Sequence, residues 1–274
     1  MNTVPPETLT FPVSLQRHAF GPRLVARAGD VWRAMQDVVV DQSASVGWTP
    51  ERYVQANTMF VVRTMTVRHH REVRIGEAML GRTWPSRARR QMLFTRQVRL
   101  FAGDEMLAGA SQEWAYLSRD LQPTRAGPEI FEAFKLIEGY PEVDLPSFVS
   151  QADQPLHVFD FTTWHGWMDP HGHANHAAYI DYCDEGVARV VAEEGADPQR
   201  LVPVAETVHF RAAIGAGELI TVETKASGHA QQARVFEHRI LSGDRVCATA
   251  TTVRAPLLPS PRPSPPRGEG DAQR

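Results

Sequence analysis

The sequence predicts an α+β protein made of two copies of one unit, in which a single helix packs against an antiparallel sheet. Three observations lead to this prediction. The chain repeats itself at a nearly constant offset, each copy contains one long amphipathic helix pattern, and each helix is followed by segments that alternate like strands. With 274 residues, 42% of them hydrophobic, the chain can bury one large core or two ordinary ones.

The repeat is visible as identical residues at a slowly changing offset. Moving residues 20–54 by 148 positions places them on 168–202, and offsets of 141 and then 140 align the later segments. The matches are collinear and the offset changes in loop-like places, so they indicate two copies of roughly 110–120 residues. The aligned identities include Gly47 with Gly195, Thr66 with Thr207, Thr83 with Thr224, Gly103 with Gly243 and Ala110 with Ala250.

Each copy is expected to contain one long helix. Apolar residues recur at helical spacing over 178–194, with Gly195 as the stop signal. The counterpart is predicted over 30–46 and ends at Gly47, and a short helix is predicted over 130–137. Strands are predicted in eight segments, with Gly103-Asp104 and Gly243-Asp244 as hairpin turns. These segments are 59–68, 76–84, 91–101, 105–117, 203–211, 217–226, 232–241 and 245–254.

The element pattern predicts four regions. The N-terminal unit should span 11–120 and the C-terminal unit 157–255, joined by a Pro-rich linker over 121–156. The tail over 256–274 is rich in proline and lacks apolar periodicity, so we expect it to be disordered.

Composition excludes several classes of function. The net charge of −3 gives no support for nucleic-acid binding, and no apolar run approaches the roughly 18 residues of a membrane span. The first residues show no secretion-signal core, and the two cysteines, Cys183 and Cys247, are typical of a reducing compartment. We therefore expect a cytoplasmic protein, with both cysteines as core residues.

One short segment concentrates the residues that could do chemistry. Asp169 follows an apolar run and precedes the helix over 178–194, and a glycine-containing turn rich in histidine separates the two. A helix start offers free N–H donors that can polarise a carbonyl, while a nearby carboxylate can activate water or attack directly. This combination suits acyl transfer.

The motif made of Asp169, Gly172, His173, Asn175 and Tyr179 resembles the signature of hotdog-fold thioesterases. That group contains the hydroxybenzoyl-CoA and acyl-carrier-protein thioesterases. The repeated pattern from residue 11 to 255 resembles the double-hotdog acyl-carrier-protein thioesterases. The resemblance implies a tandem hotdog fold, a pseudo-dimer within one chain, and hydrolysis of an acyl-carrier-protein or acyl-CoA thioester.

The resemblance also implies roles for individual residues. Asp169 would be the general base or nucleophile, and the backbone N–H of His176 would polarise the thioester carbonyl. His173 and Asn175 would support this geometry, and Tyr179 would contribute to the substrate site. Glu185 is a second candidate carboxylate, because some hotdog thioesterases carry theirs on this helix. The plant-like type has Asn at the position of His171 and Glu at that of Ala213, so its complete network is not expected here.

The first copy lacks this motif, so one active site per chain is expected, with the N-terminal unit forming the wall of the acyl pocket. At the offset of 148, the residues opposite Asp169, His171 and His173 are Gly21, Arg23 and Val25.

Other interpretations of the motif stay open at this point. Asp169 could be a plain turn or helix-capping residue, and Glu185 a helix-surface carboxylate. The histidines could suggest a metal, but none of the usual zinc spacings fits, so no metal and no cofactor is predicted. A hotdog dehydratase or hydratase, or a non-catalytic acyl-binding scaffold, are the alternative functions. The acyl group could be fatty, polyketide or aromatic, and further homodimer formation is undecided.

Ten arginines lie between Arg63 and Arg99, opposed within that segment only by Glu72 and Glu77. Such a face could dock an acidic carrier protein or hold the phosphates of coenzyme A. It could equally be the solvated outer surface of strands. Arg87, Arg89 and Arg90 are the candidate carrier-binding residues.

Overall fold

The computed structural model describes residues 4–257. The first half contains β1 (Thr10–Val13), α1 (Ala28–Ser45), α2 (Pro50–Gln55), β2 (Thr58–His69), β3 (Met79–Arg89), β4 (Leu93–Ala102) and β5 (Glu105–Ser118). The connecting segment holds α3 (Pro128–Ala133) and β6 (Val149–Ser150). The second half contains β7 (Leu156–Thr162), α4 (Ala178–Glu193), β8 (Leu201–Phe210), β9 (Leu219–Ala230), β10 (Ala233–Ser242) and β11 (Arg245–Pro256). None of these helices combines the length and apolar character needed to cross a membrane.

The two long helices and the eight predicted strands are all present, with ends that differ from the prediction by a few residues at most. Gly47 and Gly195 adopt positive φ just beyond α1 and α4, and Gly103 and Gly243 do so in the two predicted hairpin turns. The helix α2 was not predicted. Its start is favoured by Pro50 and by the Thr49 hydroxyl, which accepts from the Arg52 N–H at 3.4 Å. The tail beyond residue 257 lies outside the described residues.

All eleven strands within residues 4–257 belong to one antiparallel sheet, in which β2 and β8 join the two copies. The order is β1-β3-β4-β5-β2-β8-β11-β10-β9-β6, and β7 also pairs with β9. Thr66 lies opposite Thr207 across the junction, with their hydroxyl oxygens 2.8 Å apart. The two threonines are also equivalents in the sequence repeat. A pseudo-two-fold axis therefore passes between them.

The long helices meet on the same axis. Arg33 of α1 forms an ion pair with Asp181 of α4, and these residues are separated by 148 positions, the offset of the helices in the repeat. Around this pair the helices share one hydrophobic core with the inner face of the sheet. Trp32, Met35 and Ile180 are among its fully buried members. The structure is thus a tandem hotdog, as the sequence predicts.

In the second copy, a glycine lets the helix pack close to the sheet. A Cβ atom added at Gly186 of α4 would overlap the Thr224 side chain. Thr224 bonds to Nδ1 of His238, and Nε2 of His238 bonds to Thr252, both at 3.0 Å. Glycine therefore lets α4 approach the buried side chains of Thr224, His238 and Thr252, which are hydrogen-bonded to one another.

We predict that Gly186→Ala destabilises the protein by about 1–3 kcal/mol, because overpacking against Thr224 outweighs the better helix propensity of alanine. Urea unfolding measures the change. Gly166→Ala is the matched control, since a Cβ at Gly166 meets no atom within 4 Å. Equal stability of the two variants would show that α4 can move away from the sheet at no cost.

Candidate active site

The segment over residues 168–174, called the motif loop below, is a tight hairpin that fixes the Asp169 carboxylate. The loop is closed by a bridge between Met168 and Ala174 and by the Asp169 N–H, which donates to the His173 carbonyl at 2.8 Å. The Asp169 side chain is only 11% exposed. One carboxylate oxygen accepts from the His171 N–H at 2.8 Å, and the other lies 3.4 Å from Nδ1 of His173. The carboxylate is therefore held in one orientation by its own loop.

The start of α4 is organised by Asn175. Its side-chain oxygen accepts from the Ala177 N–H at 3.0 Å, and its carbonyl accepts from Ala178 at 2.9 Å. Its amide nitrogen donates to Oε1 of Gln36, a residue of α1, at 2.8 Å. Within residues 4–257, the backbone N–H of His176 donates no hydrogen bond. An N–H group without a partner at a helix start is of the kind that can bind a ligand.

The side chain of His176 lies in an aromatic environment at the junction of the two copies. Its ring is within 6.4 Å, centroid to centroid, of the rings of Trp32, Trp114 and Phe210. Its Nε2 is buried without a hydrogen-bond partner. Burial, assisted by Arg33 and His173, lowers the pKa of His176 to about 4, so the ring is neutral at neutral pH.

The structure brings Asp169, His173, Asn175 and His176 together but places two other predicted site residues elsewhere. Tyr179 is buried, and its hydroxyl donates to the Ala212 carbonyl at 3.4 Å. It therefore links α4 to the segment that follows β8. Glu185 is exposed and accepts from Arg189 at 2.8 Å, on the solvent side of α4. The rings of His171 and His173 stack 5.8 Å apart. Among the described residues no cluster of three or more potential metal ligands occurs.

A cavity of about 330 Å³ opens beside this loop. Its wall is built mainly by the first copy, from α1, α2, β2, β3, β4 and β5, and much of it is apolar. Pro170 and His171, the two residues after Asp169, belong to the same wall, as does Gln36. Gln36 is not predicted as a site residue from the sequence, although a polar residue beside the apolar face of α1 is a recognisable signal. The apolar members include Val39, Val40, Trp48, Phe60, Phe94 and Phe134.

The region of the second copy that is equivalent to this cavity contains paired charged side chains. The repeat offsets relate Gln36, Met65 and Trp114 to Asp184, Glu206 and Arg254. Glu206 is fully buried and bonds to Arg254 at 2.6 Å, to Nε2 of His69 at 2.8 Å and to the Trp32 indole N–H at 3.2 Å.

Arg254 also bonds to Asp184 at 2.6 Å, which extends the network onto α4. Burial opposes ionisation of Glu206, but His69 and Arg254 outweigh it and lower its pKa to about 2. The second copy thus contains a buried charge network where the first copy contributes to a cavity.

The arginine-rich segment is less basic in the structure than in the sequence. Arg96 and Arg99 are buried, and several others are neutralised by glutamates from outside the segment. Arg89 pairs with Glu113, and Arg87 lies 2.9 Å from Glu142. The count within the segment therefore overstates the positive charge of this face, because carboxylates distant in sequence lie beside its arginines.

Two family models match this chain in tandem. The Thioesterase superfamily model matches residues 39–108, and the Thioesterase-like superfamily model matches residues 163–257. Together they cover more than half of the chain, one in each copy. The protein belongs to the thioesterase superfamily, in its double-hotdog form, and is a thioester hydrolase. No curated protein sequence matches it.

Solved structures of the same architecture are similar over nearly their whole length. A putative oleoyl thioesterase from Lactobacillus plantarum has a TM-score of 0.79 and 17% identity, covering 92% of this chain and 98% of its own. An acyl-ACP thioesterase from Bacteroides thetaiotaomicron has a TM-score of 0.73 and 13% identity, covering 90% and 97%. The 12:0-ACP thioesterase from Umbellularia californica has a TM-score of 0.73 and 16% identity, covering 91% and 97%. At these identities the likeness establishes the fold.

We predict that stability falls as the pH drops below about 6.5, because His176 and His238 stay neutral in the folded protein while the unfolded chain takes up protons. Burial lowers the pKa of His238 to about 3 and, with its charged neighbours, that of His176 to about 4. Each histidine should contribute a slope of about 1.4 kcal/mol per pH unit between its folded pKa and its ordinary one.

Urea unfolding at pH values from about 7.5 to 4.5 measures this slope. His176→Gln should reduce it by the contribution of one histidine, and His165→Gln, at an exposed position, should leave it unchanged. An unchanged slope in His176→Gln would mean that His176 is protonated in the folded state.

Proposed function

We propose that the protein hydrolyses an acyl thioester at the junction of its two copies, with the acyl chain in the cavity of the first copy and the thioester carbonyl at the motif loop of the second. The observation that carries this proposal is the shared wall: Pro170 and His171 line the same cavity as α1 and the strands of the first copy. Its volume of about 330 Å³ is in the range of small-molecule sites.

Asp169 is proposed as the catalytic carboxylate. As a general base it would take a proton from water, whose oxygen attacks the thioester carbon; the C–S bond then breaks and the thiolate is protonated. As a nucleophile it would attack the same carbon and release the thiolate, leaving an anhydride that water hydrolyses. Both routes place negative charge on the carbonyl oxygen. The N–H group of His176 is proposed to stabilise that charge, since it is not used within the described structure.

The supporting residues hold these two groups at a fixed spacing. The His171 N–H and the His173 ring orient the Asp169 carboxylate. Asn175 caps the helix start and ties it to Gln36, so the donor group of one copy is positioned against the helix of the other. We therefore infer that Gln36 is a positioning residue, and that the site exists only when both copies are folded together.

For the thiol portion of the substrate we propose an acyl carrier protein. Two solved structures that resemble this chain along more than nine-tenths of their length are named as acyl-ACP thioesterases. Exposed arginines remain on the first copy as a docking surface; Arg90, at the tip of the β3–β4 hairpin, has no carboxylate partner within residues 4–257. Carrier proteins are acidic, so such cations would steer their approach.

We predict that Asp169→Asn lowers turnover of a short acyl thioester by at least about a hundredfold while leaving the unfolding midpoint nearly unchanged. Release of free thiol, followed against time, measures the rate. Glu185→Gln is the matched control and should keep near-normal turnover, because that carboxylate faces solvent with Arg189. The reverse pattern would transfer the catalytic role from Asp169 to Glu185.

We predict that changing Arg87, Arg89 and Arg90 together to Glu raises KM for an acyl-carrier-protein substrate more than about tenfold. Hydrolysis of a short thioester without a carrier should barely change, because the motif loop is in the other copy. The wild-type KM with the carrier should also rise with salt, since screening weakens interactions between exposed charges. If the KM for the carrier-protein substrate changes with neither the substitutions nor the salt concentration, coenzyme A is favoured as the natural donor.

A further inference from the structure

One wall of the cavity carries a buried cation that the proposed chemistry does not use. Arg96 of β4 is only 7% exposed, and it lines the cavity together with Ser43 and Tyr53. Burial lowers the pKa of Arg96 to about 10, so its guanidinium remains charged at neutral pH. A charged group in such a place is costly unless an opposite charge or good hydrogen bonds compensate it.

The partners of Arg96 within the protein are all neutral. Its guanidinium donates to the Gln42 side chain, lies 3.5 Å from the Val39 carbonyl and from the Ser43 hydroxyl, and sits 5.3 Å above the Phe134 ring. No carboxylate within residues 4–257 forms an ion pair with it. The contacts at 3.5 Å are at the outer limit for a hydrogen bond. The guanidinium therefore keeps unused hydrogen-bond donors on the side that lines the cavity.

A second buried arginine shows that this arrangement is particular to the cavity. Arg99 is also buried without an acidic partner, but it donates to the carbonyls of Val98, Ala110 and Pro141 at 2.8 to 3.0 Å. Arg99 does not line the cavity. At the position equivalent to Arg96, the second copy has Phe236, a fully buried apolar side chain. The fold therefore does not itself require a cation at this position.

Arg96 also contacts a part of α1 that lies away from the motif loop. On α1, Gln36 bonds to Asn175 beside the motif loop, and Ser43 lies beside Arg96. Seven helical residues separate them, which is about 10 Å along the helix axis. An acyl chain with its thioester at the loop would therefore extend along α1 toward Arg96.

We propose that Arg96 selects acyl chains that carry a carboxylate at their far end, so that the preferred substrate is the monothioester of a medium-length dicarboxylic acid. This inference rests on the proposed function for the position of the thioester. A terminal carboxylate would complete a charge-assisted, two-point contact with the guanidinium, and the Tyr53 hydroxyl on the same wall could donate to it as well.

The test compares an octanoyl thioester with a thioester of equal length that ends in a carboxylate, both on the same short thiol. The wild-type kcat/KM should be at least about tenfold higher for the carboxylate-ended substrate. Arg96→Met should remove that preference and Arg96→Lys should keep part of it. Arg119→Met is the matched control, because Arg119 lines the same cavity but is exposed; the preference should persist in it.

The wild-type ratio decides the proposal even if Arg96→Met does not fold. Equal or better hydrolysis of the octanoyl substrate by the wild type, or a preference that survives in folded Arg96→Met, would overturn it and leave Arg96 as a structural residue. Calorimetric titration with the free mono- and dicarboxylic acids separates the two proposals. Tighter dicarboxylate binding without hydrolysis of either thioester would support the role of Arg96 and contradict the proposed reaction.

Discussion

The antiparallel pairing of β2 with β8 determines the rest of this structure, because the two strands are equivalents in the repeat and lie side by side across a pseudo-two-fold axis. Thr66 and Thr207 meet on that axis in the sheet, and Arg33 and Asp181 meet on it between the helices. The pairing makes one continuous sheet and brings α1 into contact with α4. It also carries the motif loop of the second copy to Gln36 of the first.

The two sides of the pseudo-two-fold axis carry different side chains, and this difference leaves a single predicted site. On one side Gln36 and Trp114 line a cavity beside the motif loop. On the other side their equivalents, Asp184 and Arg254, join Glu206 in a buried charge network. Buried charges are costly unless each is paired or well hydrogen-bonded, and removal of one member of a network leaves the others uncompensated. The network therefore fills the side that lacks the motif, while the cavity side retains space for a ligand.

Local patterns in the sequence were sufficient to predict the two long helices, eight of the strands and the motif loop. The helix over α4, the hairpins at Gly103 and Gly243, and the duplication all follow from periodicity and from residues that tolerate positive φ. The grouping of Asp169, Asn175 and the His176 N–H was predictable for the same reason, since these residues lie within one turn of chain.

Contacts between distant segments were not predictable in this way. Arg96 and Arg99 are arginines in a basic segment, and only the fold shows that they are buried. Glu113 and Glu142 neutralise Arg89 and Arg87 from outside that segment, so counting charges along the sequence overestimated the basic face. The cavity and the Glu206 network likewise combine elements of both copies, and no single stretch of sequence contains their pattern.

The central claim is that one site per chain is shared, with chemistry from the second copy and the acyl pocket from the first. A crystal structure with a bound medium-chain carboxylic acid, the product of the proposed reaction, tests it most directly. The account predicts one acid per chain, with its carboxylate beside His171 and the His176 N–H and its chain along α1. An acid bound inside the second copy, beside α4 and away from the motif loop, would contradict it.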